Sequence, residues 1–168
     1  MHILLKSAAA LLAISLPGCA GHAHYAGMQA REIKALSADD ISGLRAAQGM
    51  GLALAAELNG YPGPLHVLQL DSQLSLSPAQ RQQTQQLMAT MRADAVAAGE
   101  ALIQAERGLD QLFARKTVTA DSLGAALGQV AQAQARVRGI HLQAHLDQVR
   151  ILSAQQVAVY NRLRGYGG

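Results

Sequence analysis

The run from Ser77 to Arg115, SPAQRQQTQQLMATMRADAVAAGEALIQAERGLDQLFAR, decides the fold. Ser77 offers a side-chain oxygen to the free amides of a helix start. Pro78 suits the first helical position, where its missing N–H costs nothing. From there Leu87, Met91, Ala95, Ala98, Leu102, Ala105, Leu109 and Leu112 recur at steps of three and four. That spacing keeps one apolar stripe on one side of a helix and approaches the seven-residue repeat of paired helices.

Outward from this rod the pattern repeats. Lys116-Thr117-Val118 is a short connection, Thr119 caps a second helix, and Asp121 lies in its first turn. Leu123, Leu127, Val130, Gln134, Val137, His141, Ala144 and Gln148 form its seam. Two long helices joined so tightly must lie antiparallel. Ser153 with Gln156 is a capping box for a last helix through Val157, Tyr160 and Leu163, and residues 166–168 read as a frayed tail. Upstream, Asn59-Gly60-Tyr61-Pro62-Gly63-Pro64 is the strongest break in the chain, followed by a short helix over 65–74. Ser37 caps a helix that runs to about Leu58, weakened by Gly43, Gly49 and Gly51. The expected fold is all-α: a long antiparallel helical hairpin with shorter flanking helices.

Composition agrees. Half of the 168 residues are apolar but only 3% are aromatic, with four Tyr, one Phe and no Trp. A β-sandwich would want β-branched and aromatic residues, and a disordered chain would carry fewer aliphatics and more charge than 15%. The length suits one domain. A single Cys excludes an internal disulfide framework and a Cys-rich zinc site.

Residues 1–18 read as an export signal: a weakly basic start, an apolar run over 7–16 too short to span a bilayer, then small residues. Leu16-Pro17-Gly18-Cys19 resembles a bacterial lipobox, in which the Cys carries lipid and becomes the first mature residue; ordinary cleavage nearby is the alternative. Residues 19–36 then form a tether. Losing Lys6 with the signal leaves 13 basic against 11 acidic side chains. With no basic cluster and no aromatic-basic interleaving, nucleic acid is excluded as a partner.

Leu-Ser-x-x-Gln occurs twice, as Leu76-Ser77-Pro78-Ala79-Gln80 and Leu152-Ser153-Ala154-Gln155-Gln156, bracketing the hairpin. With the export signal, this resembles the Spy/CpxP superfamily of periplasmic helical proteins, marked by paired Leu-Thr-x-x-Gln motifs. That group includes envelope-stress chaperones, zinc-associated proteins and nickel/cobalt-sensing domains. Ser replaces Thr in both copies here and keeps the capping hydroxyl. The resemblance covers residues 65–165 and implies an all-helical fold, commonly a homodimer with a concave face. The 37–64 segment lies outside it.

His141 and His145 stand four apart on one helix, and imidazoles at that spacing can grip one metal ion. If the hairpin turns near residues 117–118, His141 faces Asp94, and His145 faces Thr90 near Met91 and Met88. Asp94 and Met91 would complete a mixed site for a divalent transition metal: zinc, nickel, cobalt or copper. His141 equally reads as an interior seam residue and His145 as a solvated one. His22 and His24 could add a weak grip. Asp39, Asp40, Glu57, Glu100 and Glu106 form no catalytic pair, so an enzyme is not expected. The expected role is a periplasmic, lipid-anchored binding protein for unfolded or stress-signalling envelope proteins; the alternative is metal binding or sensing in heavy-metal resistance through His141 and His145.

Overall fold

A computed structural model describes residues 25–166. Residues 1–18, Cys19, His22, His24, Gly167 and Gly168 lie outside the described residues. A 3-10 turn at Met28–Ala30 precedes seven helices: α1 (Ala38–Arg45), α2 (Leu54–Glu57), α3 (Pro64–Gln69), α4 (Asp71–Leu74), α5 (Pro78–Ala114), α6 (Ala120–Ile151) and α7 (Ala154–Arg164). Among the described residues the one β-type contact is a bridge between Ile33 and Leu36. No described helix is long and apolar enough to cross a membrane.

Local chemistry sets the helix starts. Ser37, Ser77, Thr119 and Ser153 each accept from the amide three residues on, and the residue there returns a bond to the cap amide. The Ser37 hydroxyl and amide hold the Asp40 carboxyl below its ordinary range. α5, with 37 residues, is about 55 Å long and lies antiparallel to α6. The hairpin therefore has a tip, at 115–119, and a base, where α5 begins and α6 ends.

Its seam is built from small residues. Met91, Ala95 and Ala144 bury together, and further toward the tip Ala98, Leu102 and Ile103 pack with Val130 and Val137. Thr84 and Gln148 are fully buried on the seam, with Gln148 Nε2 donating to Thr84 Oγ1 at 3.1 Å. A polar pair sealed between the two rods favours one register, because a slip would strand both groups. Leu127 and Gln134, assigned to the seam from spacing, are exposed instead.

The residues before α5 wrap the hairpin. Ile33 and Leu44 enter the core of α5 and α6, so the stretch expected to tether is, from residue 32 at least, fastened down. The helix expected over 37–58 is two pieces. Ala47, Met50 and Gly51 adopt left-handed backbone, which costs a non-glycine residue about 1 kcal/mol and ends a helix. Just before this turn α1 lies so close to α5 that a Cβ on Gly99 would stand 2.8 Å from the Leu44 carbonyl oxygen. The helix expected over 65–74 likewise breaks at Leu70 into α3 and α4.

Candidate functional site

The two Leu-Ser-x-x-Gln stretches meet at the base. Gln80 Nε2 donates to Gln156 Oε1 at 2.9 Å, and Gln156 Nε2 donates to Gln80 Oε1 at 3.1 Å. Each oxygen also accepts from the amide of its own cap serine, Ser77 or Ser153. Each nitrogen also donates to a carbonyl across the joint, Gln80 to Ile151 and Gln156 to Leu74. Every donor and acceptor of both amides is thus used. Leu76 and Leu152 bury in one cluster with Val67, Leu74 and Tyr160. The motif is a reciprocal lock that ties α7 and the start of α5 to one end of the hairpin.

The proposed metal ligands are not brought together. Met91 and Asp94 line a small cavity with Thr90, Gln143, Ala144 and Asp147, so the expected pairing of heights along the hairpin holds. The rotation about α6 does not match the expectation. His145 turns to the opposite flank, where its Nδ1 lies 2.7 Å from the Tyr61 carbonyl oxygen. A carbonyl only accepts, so Nδ1 carries the proton. The other edge of the ring packs on Gly63, so tightly that a Cβ there would stand 3.0 Å from Nε2. His141 is buried, and burial together with the neighbouring His145 pushes its pKa down, toward neutral imidazole. Among the described residues no group of three or more His, Cys, Asp or Glu is placed to hold a metal ion. The four-ligand site is corrected accordingly: Asp94 and Met91 are on one flank of the hairpin, His145 on the other.

That second flank holds a cluster centred on Glu57. Glu57 is 6% exposed, in an apolar stretch of α2. Tyr160 Oη donates to its Oε1 at 2.5 Å and Tyr166 Oη at 3.2 Å. Arg164 Nε lies 3.4 Å from the same oxygen and His66 Nδ1 3.2 Å. The Tyr160 hydroxyl spends its proton on the hydrogen bond to the carboxylate, so its oxygen accepts and His66 Nδ1, 3.4 Å away, is the N–H donor there. His145 Nδ1 stands 3.6 Å from Oε2. Burial, then the bond and charge of Glu57, drive the Tyr160 phenol well above its usual range, so it stays a donor. One carboxylate therefore gathers α2, α3, α6, α7 and the chain end. Tyr166, expected to fray, is part of it. The clue in the sequence was an acid inside Leu54-Ala55-Ala56-Glu57-Leu58 and two of only four tyrosines near the C-terminus.

Apolar surface remains open on two sides of the wrapped hairpin. A groove of about 550 Å³ runs between the α1 arm and the middle of the hairpin, walled by Leu36, Leu44, Met50, Leu52, Leu102 and Val137. Asp40 and Arg138 stand at it as charged members, and Met50 is 44% exposed. A shallower hollow lies beside the Glu57 cluster, formed by Ala55, Ala56, Tyr61, Leu142 and Leu146. Comparison of the chain with protein-family models, curated proteins and solved structures returned no match.

Proposed function

We propose that the chain is an exported, lipid-anchored helical binding protein that holds apolar segments of unfolded or stress-signalling envelope proteins. The observation that carries this reading is the groove between α1 and the hairpin. Its walls are aliphatic and thioether side chains, which make non-directional contacts and adapt to varied sequences. The lack of aromatic walls keeps each contact weak, so a client can leave. The groove is held open by features that do not depend on a client: the close Gly99–Leu44 approach and the Arg45–Glu100 ion pair at 3.1 Å. Export and the anchor rest on residues 1–18 and Cys19, and the periplasmic setting on the resemblance carried by the paired motifs. The Glu57 cluster serves this reading as a clasp that fixes α2 and α3 against the hairpin.

The test is the aggregation of a chemically denatured client, followed by light scattering with and without the protein. Suppression is expected near stoichiometric ratios, and weaker suppression from a Met50→Gln, Leu52→Gln variant that keeps its helical content. No suppression at several-fold excess, or suppression untouched by the groove substitutions, would overturn the proposal.

A further inference from the structure

The wrapping segment is fastened near one end of the hairpin. Glu32 pairs with Arg107 at 2.7 Å, and the Lys34 amide and amino group both reach Asp110. Ile33, between them, is fully buried. Residues 32–34 are thus fastened close to the tip: from Arg107 the tip is about 15 Å away along α5 and the base about 44 Å. Downstream the chain runs toward the base, with Arg45 at Glu100 and then the Tyr61 carbonyl at His145. Cys19 lies thirteen residues before Glu32, three of them in a 3-10 turn. Even pulled straight outside that turn, this length reaches at most about 41 Å, which falls short of the base.

The tip has matching chemistry. Phe113, the chain's single Phe, is 55% exposed there. Leu112 and Val118 are half-buried, Arg115 and Lys116 are exposed, and residues 111–120 contain no acid. Arg115 and Lys116 make no ion pair among the described residues. An aromatic ring flanked by two cations suits the boundary of an anionic bilayer, where the ring enters the headgroup layer and the cations meet lipid phosphates.

We infer that the hairpin tip, Phe113 to Val118, rests on an anionic bilayer surface, with the groove and base projecting away from it. The orientation rests on the lipid-anchor reading of Cys19; the tip chemistry does not.

The experiment places a fluorescent thiol label at Thr117→Cys or at Gln155→Cys in the full chain. Vesicles of phosphatidylethanolamine with phosphatidylglycerol carry brominated acyl chains as the quencher. Strong quenching is expected at 117 and little at 155, falling at 117 when Phe113→Ser, Arg115→Gln and Lys116→Gln are combined. Equal quenching at the two sites, or quenching at 117 indifferent to the triple substitution, overturns the inference. The mass of the chain recovered from membranes reads the lipid on Cys19 separately, so a failed anchor is told apart from a failed tip. Should no lipid be found, the unanchored chain, with Cys19→Ser so that the label sits on one thiol, is read at high vesicle excess. Tip quenching is still required there, with affinity about tenfold lower or more for Arg115→Gln, Lys116→Gln; its absence overturns the inference too.

Discussion

Replacing Gln80 and Gln156 singly and together by Ala tests whether the repeated motif is one lock or two separate caps. Each glutamine makes four hydrogen bonds, of which the two amide–amide bonds are shared. A neutral hydrogen bond contributes about 1 kcal/mol net, and a buried group left unpaired costs about 1–3 kcal/mol. Either single substitution should thus destabilise by about 2–4 kcal/mol, since it also strands the partner amide and a backbone carbonyl. The double variant removes the shared bonds once, not twice, and should cost about 1–2 kcal/mol less than the two singles added. Urea denaturation followed by circular dichroism gives the three values if the slopes stay equal. Gln80→Ala paired with Ser122→Ala is the control, because Ser122 is the partner of Thr119 in the capping box of α6, at the other end of the hairpin. Its two effects should add within about 0.5 kcal/mol. Additive behaviour of Gln80 and Gln156 within that margin would refute the lock and leave two independent capping boxes.

Three further expectations follow from the packing and the charges. Gly99→Ala should lower the melting temperature and loosen α1, because its Cβ meets the Leu44 backbone, whereas Gly128→Ala, exposed in α6 with nothing within 4 Å, should add about 0.5–1 kcal/mol; thermal melts of both decide, and a stabilised Gly99→Ala would contradict the close approach. Tyr160→Phe should cost about 2 kcal/mol, the range for a hydrogen bond to a charged group, and more than Tyr166→Phe, whose hydroxyl is farther from Glu57. His141 has its pKa lowered in the fold below the 6.5 of free imidazole, so the unfolded chain binds the proton more readily. Its contribution is fully present above that value and fades as pH falls through the folded pKa. Denaturation between about pH 8 and about pH 5 should show this loss, and His141→Gln should reduce it.

What was legible in the sequence was local. Ser77, Pro78, Thr119 and Ser153 mark helix starts through bonds that span three residues, so α5, α6 and α7 could be placed closely. The stepped Leu and Ala positions revealed which rods must pair, and the short turn at 117–118 revealed their relative heights. Rotation about each rod was not legible. Asp94 and His141 are at matching heights, yet His145 turns toward the 54–66 wrap, where the Tyr61 carbonyl and Glu57 offer partners. Spacing within α5 and α6 says nothing about a third segment. Glu57 was hidden for the same reason: its partners His66, His145, Tyr160, Arg164 and Tyr166 are brought to it by four separate elements. The division of 37–58 into α1 and α2 was half visible in Gly49 and Gly51. The close approach of the Leu44 backbone to Gly99, which fixes where α1 lies on the hairpin, is tertiary.

The central claim is that the α1–hairpin groove holds clients, and site-specific photo-crosslinking tests it most directly. A photoreactive residue is placed at Met50 in the groove, or at Gln83 on the exposed side of α5 as a reference, and illuminated with a purified denatured client. Adducts are expected from position 50, displaced by a short apolar peptide, and few from position 83. Equal adducts from both positions, or none from position 50 while aggregation is still suppressed, would contradict it.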